Sequence, residues 1–255
     1  MDKGAFLDFE NRQVVVTGAS SGIGRAIAVE LSRLGARVVL VGRNRSELEQ
    51  TRERAGALET RILVLDLQAR ADLLTIVREI VREDGRIYGL CHCAGIVETR
   101  PLTSFQADSF GAMMQVNFLA GIELAQVVSR RDIMTDDGGS ILLMSSIYGW
   151  AGVPGQIGYS ATKGAVLAAA RAMAVELARR KIRVNTLSPG LVWTPMTRKA
   201  LAALSPEQSR NLEQSYPLGP GDPEDVARAA AFLLAPQSKW ITGTDLIVDG
   251  GYTAR

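Results

Sequence analysis

Residues 13–24 of the chain are Gln13-Val14-Val15-Val16-Thr17-Gly18-Ala19-Ser20-Ser21-Gly22-Ile23-Gly24. The apolar, β-branched run at the start predicts a buried strand, and a helical pattern of apolar residues follows the last glycine as far as Gly35. A strand, a glycine-rich turn and a helix in this order are typical of a loop that holds a pyrophosphate. The glycines let the backbone approach closely, and the helix N-terminus supplies N–H donors. The spacing is GxxxGxG rather than GxGxxG, and an arbitrary glycine turn is the alternative.

Further strands alternate with helices along the rest of the chain. Apolar runs predict strands at 37–41, 60–65, 87–91, 140–144, 182–187 and 246–248. Helical periodicity predicts helices at 46–57, 69–84 and 106–134, and another around Tyr159. This alternation implies right-handed crossovers and a parallel sheet covered on both faces. We therefore predict an α/β fold with a single doubly wound (Rossmann-type) parallel seven-stranded sheet, in one domain spanning 1–255.

The composition is that of a globular protein with a substantial core. The 255 residues (27.4 kDa) are 47% hydrophobic and 22% charged, and the formal net charge is +2. This charge is too small to favour nucleic acid or an anionic membrane surface as a partner. We find no apolar run long enough to span a bilayer and no signal-peptide pattern in residues 1–6. We therefore expect a cytoplasmic location.

The two cysteines flank the single histidine, in the order Cys91-His92-Cys93. The triplet invites comparison with a metal site. On a strand, however, His92 would point to the opposite face from both cysteines, and adjacent residues cannot complete a tetrahedral site. A disulfide between neighbours i and i+2 is also unfavourable. We expect ordinary strand residues here, a structural role for His92 and no metal.

Tyr159 and Lys163 lie four residues apart, so on a helix they share one face. The pKa of a phenol in water is about 10, which makes it a poor acid or base at neutral pH. A nearby ammonium favours the phenolate, and such a tyrosine could give a proton to a carbonyl oxygen or take one from an alcohol. The alternative is an ordinary ion-dipole pair on a helix surface.

Arg43 follows the second predicted strand, where a dinucleotide-binding fold meets the adenosine ribose. An acidic residue at this point would bind the 2′-hydroxyl of NAD, whereas a planar guanidinium suits the 2′-phosphate of NADP. Arg45 could assist. We therefore expect NADP as the cofactor, and the alternative is an arginine that is merely solvated.

These motifs together resemble the short-chain dehydrogenase/reductase family over nearly the whole chain, from Val14 to about Gly251. The resemblance rests on the glycine motif, Asn117, Ser146, Tyr159, Lys163, Pro189-Gly190 with Thr194, and Val248-Asp249-Gly250-Gly251. It implies that Tyr159 is the catalytic acid/base and that Lys163 lowers its pKa and holds the nicotinamide ribose. It also implies that Ser146 hydrogen-bonds the substrate oxygen and that Asn117 helps to position a proton-relaying water.

The same resemblance implies a set of cofactor-binding residues. Asp66 would recognise the adenine through its side chain and Leu67 through its N–H, while Val192 and Thr194 would hold the carboxamide. The complete set is Gly18, Ser20, Ser21, Gly22, Ile23, Gly24, Arg43, Asp66, Leu67, Cys93, Ala94, Gly95, Tyr159, Lys163, Pro189, Gly190, Val192 and Thr194. One departure is His92-Cys93-Ala94-Gly95 in place of the family's Asn-Asn-Ala-Gly. Since Cys93 cannot make an amide's hydrogen bonds, we expect altered local bonding but a retained cofactor.

The expected activity is NADP(H)-dependent interconversion of a carbonyl and a secondary alcohol by hydride transfer. One alternative is a 3-oxoacyl-carrier-protein reductase, which needs a basic patch for an acidic carrier. Arg130, Arg131, Arg179 and Arg180 could form that patch, and Asp136-Asp137 would weaken it. Another alternative is a non-catalytic NADP-binding regulatory or scaffold protein, against which the intact Ser-Tyr-Lys set counts.

Residues 195–221 are expected to form a lid over the substrate, because proline and glycine flank a helical stretch inserted after the sixth strand. A plain connecting helix is the alternative. Trp150, Trp193 and Met196 lie close in sequence to the catalytic elements, and they predict an apolar pocket for a neutral, hydrophobic ketone or alcohol.

We also expect a homo-oligomer, most simply a homotetramer. Small side chains on the Tyr159 helix would let helices pack closely across a two-fold axis. These side chains are Ala165, Ala168, Ala169 and Ala172. The family resemblance implies the same arrangement.

Overall fold

The computed structural model describes residues 7–56, 60–69 and 71–254, and within them strands alternate with helices. The strands are β1 (Gln13–Thr17), β2 (Arg37–Gly42), β3 (Thr60–Val64), β4 (Ile87–His92), β5 (Gly139–Met144), β6 (Ile182–Pro189) and β7 (Asp245–Val248). The α-helices are α1 (Gly22–Arg33), α2 (Arg45–Arg54), α3 (Leu73–Asp84), α4 (Ala107–Met114), α5 (Ala120–Val128), α6 (Ile157–Leu177), α7 (Pro195–Leu201), α8 (Pro206–Gln214) and α9 (Pro223–Leu234).

The seven strands form one parallel sheet in the order β3-β2-β1-β4-β5-β6-β7. This confirms the predicted doubly wound α/β fold. The strand order reverses direction between β1 and β4, so the connections leave the sheet on opposite faces at this point. Open sheets of this kind bind ligands in the crevice at the carboxyl ends of the strands beside such a reversal.

Side chains alternate between two cores, one on each face of the sheet. Val14 and Val16 of β1 pack with α1, α2 and α9, whereas Val15 packs with α3, α5 and α6. Successive residues of a strand point to opposite faces, and a parallel sheet covered on both faces must therefore be apolar at consecutive positions. Every residue of β1 is buried, which explains why the run near the N-terminus shows no alternation.

The helix predicted over 106–134 is the least accurate of the helix predictions. The structure ends it at Val128 and interrupts it with a π-helical turn, Gln115–Leu119, which carries Asn117. After α5 the chain turns so that the Ile133 carbonyl can accept from the Ile87 N–H at 3.0 Å. Buried Ile133 and Met134 belong to the core contacts of this turn rather than to a helical face.

Other boundaries differ by a few residues. The helix predicted from residue 69 begins at Leu73, because the Asp72 carboxylate accepts from the Thr75 N–H at 3.1 Å and caps α3 there. The predicted end of α2 at residue 57 lies outside the described residues. β6 extends to Pro189, which brings the Pro189-Gly190 segment directly to the edge of the crevice.

The continuous helical run Ala107–Val128 is long and apolar enough to cross a membrane by length and composition. The expectation that no such run exists is therefore wrong on that criterion. In this fold the run packs on the sheet, with Leu124 and Ala125 in the core shared with β4 and α3. It is a core helix of the domain.

The segment after β6 contains two short helices instead of the single helical stretch that was predicted. Thr194 caps the N-terminus of α7 and Ser205 caps that of α8, each in a capping box with a proline in the first turn of the helix. The segment ends on the C-terminal turn, where the ring of Tyr216 stacks on Tyr252 at 4.7 Å. Closure of this segment over a substrate stays a prediction.

Candidate active site

A cavity of about 310 Å³ lies at the carboxyl ends of the strands. Every predicted cofactor-binding residue lines it, together with Ser146, Tyr159 and Lys163. The fourth predicted catalytic residue, Asn117, lies behind the wall and is fully buried. Sequence reasoning missed part of the lining, namely Val41, Gly42, Leu65, Ile96, Val116, Met144, Ser145, Pro195 and Thr197. Most of these lie beside a predicted site residue at the end of a strand or helix, and that adjacency was the available signal.

Glycines allow the loop between β1 and α1 to approach the loop after β4. At Gly18 a Cβ would lie 2.8 Å from the Ala94 N atom, and the φ angle of 67° is in the left-handed region. At Gly24 a Cβ would lie 2.3 Å from the Gly18 carbonyl oxygen. No side chain caps the N-terminus of α1 at Ser21. The first N–H groups of α1 are therefore available to an anion in the cleft, as a pyrophosphate requires.

Arg43 marks the other end of the cleft. It is exposed, it lines the cavity directly after β2, and it has no ion pair among the described residues. Ser20 lies beside it, since the Ser20 Oγ is 3.5 Å from the point that a Cβ at Gly42 would occupy. The Asp66 carboxylate accepts from the Gln68 N–H at 3.0 Å, which fixes the turn after β3. A cation and a hydroxyl thus line this end of the cleft.

Ser146, Tyr159 and Lys163 meet at the middle of the cleft. Ser146 follows β5 and begins a tight turn, its Oγ accepting from the Tyr148 N–H at 3.2 Å. Ser146 also lies near the Tyr159 phenol, since both line the cleft and the serine hydroxyl lowers the pKa of that phenol. Lys163 lies one helical turn beyond Tyr159 on α6; its Nζ is 5.4 Å from the phenol ring and donates to the Met144 carbonyl at 2.8 Å.

Burial is the largest cause of the pKa shifts of Tyr159 and Lys163. It raises the pKa of Tyr159 to about 12, although the nearby Ser146 hydroxyl acts in the opposite direction. Burial also lowers the pKa of Lys163 to about 8. Lys163 is not among the groups that shift the pKa of Tyr159 here, because its ammonium donates to the Met144 carbonyl, and its lowering of that pKa stays a prediction. At neutral pH the phenol holds its proton.

Asn117 fixes the loop after β4 against α6. Its Oδ1 accepts from the Ile96 N–H at 2.8 Å, and its Nδ2 donates to the Ile96 carbonyl at 2.9 Å and to the Thr162 Oγ1 at 3.1 Å. A Cβ at Gly95 would lie 3.4 Å from the Asn117 Oδ1 and 3.8 Å from the Lys163 Nζ. Asn117 and Lys163 therefore border the same side of this loop. A role for Asn117 in holding a water stays a prediction.

Comparison with known proteins gives matches over nearly the full chain. The family model described as Enoyl-(Acyl carrier protein) reductase matches residues 18–253. A 3-oxoacyl-[acyl-carrier-protein] reductase of Thermotoga maritima is 34% identical over 246 residues, covering 95% of this chain and 98% of the relative. Levodione reductase of Leifsonia aquatica is 32% identical and covers 96% of both chains. A short-chain type dehydrogenase/reductase from Mycobacterium ulcerans superposes with a TM-score of 0.90 at 31% identity, covering 98% of this chain and 92% of that structure.

The chain belongs to the short-chain dehydrogenase/reductase family. It is an oxidoreductase, and the family implies a nicotinamide cofactor. The cleft fits such a cofactor on its own features: a glycine loop in close approach, an uncapped helix N-terminus and an unpaired arginine.

This short-chain dehydrogenase/reductase departs from its family at Cys93, as expected, and the backbone compensates. The N–H groups of Cys93 and Ala94 both donate to the Thr17 Oγ1, each at 3.1 Å. His92 is 1% exposed and points to the face opposite Cys91. Within the described residues no group of three or more histidine, cysteine, aspartate or glutamate side chains could hold a metal ion.

The predicted apolar wall of tryptophans is wrong for this family member. Trp150 is 57% exposed and its Nε1–H donates to the Asp245 carboxylate on β7 at 2.7 Å. The Trp193 ring packs against the guanidinium of Arg198 at 5.2 Å. Neither ring lines the described cleft, although Met196 does. The aromatic side chain beside the Tyr159 phenol is Tyr148, whose ring lies edge-on to it at 6.4 Å, and no sequence pattern predicted this contact.

Proposed function

We propose that this protein is an NADP(H)-dependent oxidoreductase that interconverts a carbonyl and a secondary alcohol by hydride transfer. The observation that carries the proposal is the placement of Ser146, Tyr159 and Lys163 in the same cleft as the glycine loop and Arg43. A bound nicotinamide supplies or accepts the hydride. The site residues supply the proton and the hydrogen bonds that hold the reacting oxygen.

Tyr159 acts as the proton donor when a carbonyl is reduced. Its pKa of about 12 keeps the phenol protonated at neutral pH, which is the form that reduction requires. Ser146, which lines the cleft beside Tyr159, orients the substrate oxygen toward the phenol. The Lys163 ammonium, 5.4 Å from the ring, favours the phenolate as the proton leaves, since opposite charges attract more strongly in a desolvated site.

NADP is the proposed cofactor because Arg43 and Ser20 face the ribose end of the cleft. A guanidinium with no carboxylate partner can form charge-assisted hydrogen bonds with a 2′-phosphate. An acidic residue, which would bind a 2′-hydroxyl and repel the phosphate, does not follow β2; Arg43 stands at that point.

A 3-oxoacyl-carrier-protein reductase is the second candidate, favoured by relatives of that name from Thermotoga maritima and Homo sapiens at 34% and 36% identity. The basic patch it needs is partly engaged, since Arg130 pairs with Asp132 at 3.2 Å. Arg131 and Arg179 remain exposed and without an ion pair among the described residues. Asp136 and Asp137 pair with Arg86 and Arg12, which weakens their effect on an acidic partner.

A cytoplasmic homotetramer is the proposed state of the protein. Ala168 and Ala172 are exposed on α6, and Val175 on the same face is 80% exposed. Such a strip of small and apolar side chains permits close helix packing between copies of the chain.

Oxidation of NADPH and NADH tests the function against a panel of simple ketones and a 3-oxoacyl group on a carrier protein. Turnover of simple ketones with NADPH supports the first candidate, and turnover of the carrier-linked group alone supports the second. The Tyr159→Phe variant, prepared in parallel, measures the background from contaminating reductases. Binding of NADPH without turnover of any substrate contradicts both candidates and favours a non-catalytic binding protein.

A further inference from the structure

His92 lies on β4 directly behind the wall of the cleft, between two segments that line it. Its imidazole Nδ1 is 3.0 Å from the Thr17 Oγ1, and its Nε2 is 3.0 Å from the Val116 carbonyl oxygen. Thr17 ends β1 and is its register partner in the sheet, whereas Val116 belongs to the π-helical turn immediately before Asn117. The ring thus spans from the sheet to the π-helical turn that carries Asn117, and it is 1% exposed.

The hydrogen bonds around the ring leave one arrangement of protons. A carbonyl can only accept, so the Nε2–H donates to Val116 and Nδ1 accepts from the Thr17 hydroxyl. The Thr17 Oγ1 in turn accepts from the N–H groups of Cys93 and Ala94, which uses both of its lone pairs. If Nδ1 were protonated, its N–H would point at the Thr17 hydroxyl oxygen, which has no free lone pair left to accept it. The neutral ring therefore completes a satisfied buried network, and burial lowers the pKa of His92 to about 4.

Gly121 makes room for this ring. At that position of α5 a Cβ would lie 2.7 Å from the His92 Cδ2 and 3.0 Å from its Cγ. Any side chain at Gly121 would force the imidazole away from Thr17 or Val116. The glycine and the histidine are therefore complementary, and the helix approaches β4 closely where it carries the π-helical turn.

We infer that His92 is a positioning residue with two separable arms: the Thr17 arm fixes the cofactor-side loop of Cys93, Ala94 and Gly95, and the Val116 arm fixes the turn bearing Asn117. An asparagine, the family's residue here, is too short to make both contacts. The first arm sets affinity for the dinucleotide, because that loop packs directly on the glycine loop, where a Cβ at Gly18 would lie 2.8 Å from the Ala94 N atom. The second arm sets the rate, because Asn117 and Lys163 border the same loop. The rate part rests on the proposed function.

Three substitutions separate the arms. In His92→Asn the Oδ1 takes the place of Nδ1 and keeps only the Thr17 arm, whereas in His92→Gln the Nε2 keeps only the Val116 arm. His92→Leu keeps neither. We expect His92→Asn to bind NADPH within about twofold of wild type but to lose roughly tenfold in kcat. His92→Gln should bind about tenfold more weakly with kcat within about threefold, and His92→Leu should show both losses.

A cycle with Gly121→Ala tests the ring's location without any turnover. In the wild-type background the added methyl group should weaken NADPH binding by about fivefold or more, because it displaces the ring. In a His92→Ala background the same change should alter binding by less than about twofold. Gly111→Ala on α4, where a Cβ would meet nothing within 4 Å, is the matched control and should be silent.

The variants also distinguish this inference from the proposed function. If no ketone or carrier-linked substrate is turned over, the activity is wrong, and the Gly121 cycle still decides the ring's role. Additive effects in the Gly121 cycle would overturn the inference. The inference would also be overturned if His92→Asn and His92→Gln lost affinity and kcat to the same extent, or if neither variant lost either. A purely structural role for His92 predicts no such difference between the two variants.

Discussion

The chemistry of the site depends on how single residues are buried. Tyr159 and Lys163 share a helix face as their spacing predicts, yet the ammonium donates to Met144 and desolvation shifts both pKa values. Spacing along the sequence identifies residues that can meet on a helix face. It carries no information about how deeply they are buried or about the Met144 carbonyl that accepts from Lys163. The residues that meet in the cleft were therefore predictable, and their proton affinities were not.

Cofactor preference should depend on Arg43. Replacing Arg43 with Asp removes a charge-assisted contact with a 2′-phosphate and adds repulsion, so the ratio of kcat/KM for NADPH over NADH should fall by roughly 30-fold, or about 2 kcal/mol. Arg45→Asp is the control, because Arg45 does not line the cleft and pairs with Glu49 at 3.8 Å. Equal kcat/KM values for the two cofactors in the wild type would contradict the assignment.

Acid should destabilise the protein through His92. The imidazole remains neutral in the folded state down to a pKa of about 4, whereas in the unfolded chain it takes up a proton near its ordinary pKa of 6.5. The unfolded state therefore binds more protons between these values, and the free energy of unfolding falls as the pH drops through this window. From pH 7 to pH 5 this contribution is about 2 kcal/mol.

Urea denaturation at pH 7 and pH 5 measures this effect. The loss of unfolding free energy between the two pH values should be smaller by about 2 kcal/mol in His92→Gln than in the wild type. Each protein is compared with itself, so the cost of the substitution cancels. If the free energy of unfolding fell by the same amount in wild type and His92→Gln, His92 would not titrate in this range.

At the scale of elements, the order of strands and helices was predictable and the irregular turns were not. Consecutive apolar residues in β1 identify a strand buried on both faces. By contrast, the π-helical turn that carries Asn117 contacts His92 through the Val116 carbonyl, a contact between distant parts of the chain that forms only on folding. The orientation of Trp150 likewise follows from a bond to Asp245, far along the chain on β7.

The stability of α9 should depend on a single buried charge at its C-terminus, the guanidinium of Arg183. Arg183 on β6 is 7% exposed, and its guanidinium donates to the carbonyls of Leu233, Leu234 and Ala235 at 2.6 to 3.0 Å. These are terminal carbonyls that the helix cannot satisfy itself, and the negative end of its dipole favours a cation.

Arg183→Met should lower the free energy of unfolding by about 2 kcal/mol, because these carbonyls lose their charged donor and keep only neutral ones from Ser140, Tyr88 and the Ser238 N–H. Arg228→Met, on the exposed face of the same helix, removes only a surface pair with Asp225 and should change it by less than about 0.5 kcal/mol. Chemical denaturation of both variants decides the matter. If both variants lost a similar free energy of unfolding, the bonds from Arg183 to the last carbonyls would not be what stabilises α9.

The whole molecule should be a tetramer of four 27.4 kDa chains. A glutamate at Ala172 on α6 would place charge in a closely packed helix interface, so light scattering of Ala172→Glu should give a smaller mass than the wild type. Gln50→Glu adds the same charge on the exposed face of α2 and should leave the mass unchanged. A monomeric wild type at micromolar concentration would rule out the assembly.

Tyr159→Phe is the measurement that tests the central claim most directly. The ring remains and only the proton donor is lost, so NADPH should bind within about twofold of wild type while kcat with a reducible substrate falls to less than about a tenth. Tyr148→Phe is the matched control, since its ring packs edge-on against Tyr159 outside the cleft lining and its rate should stay close to wild type. If Tyr159→Phe keeps more than about a tenth of the wild-type rate, a barrier change below ~1.4 kcal/mol, Tyr159 is not the proton donor.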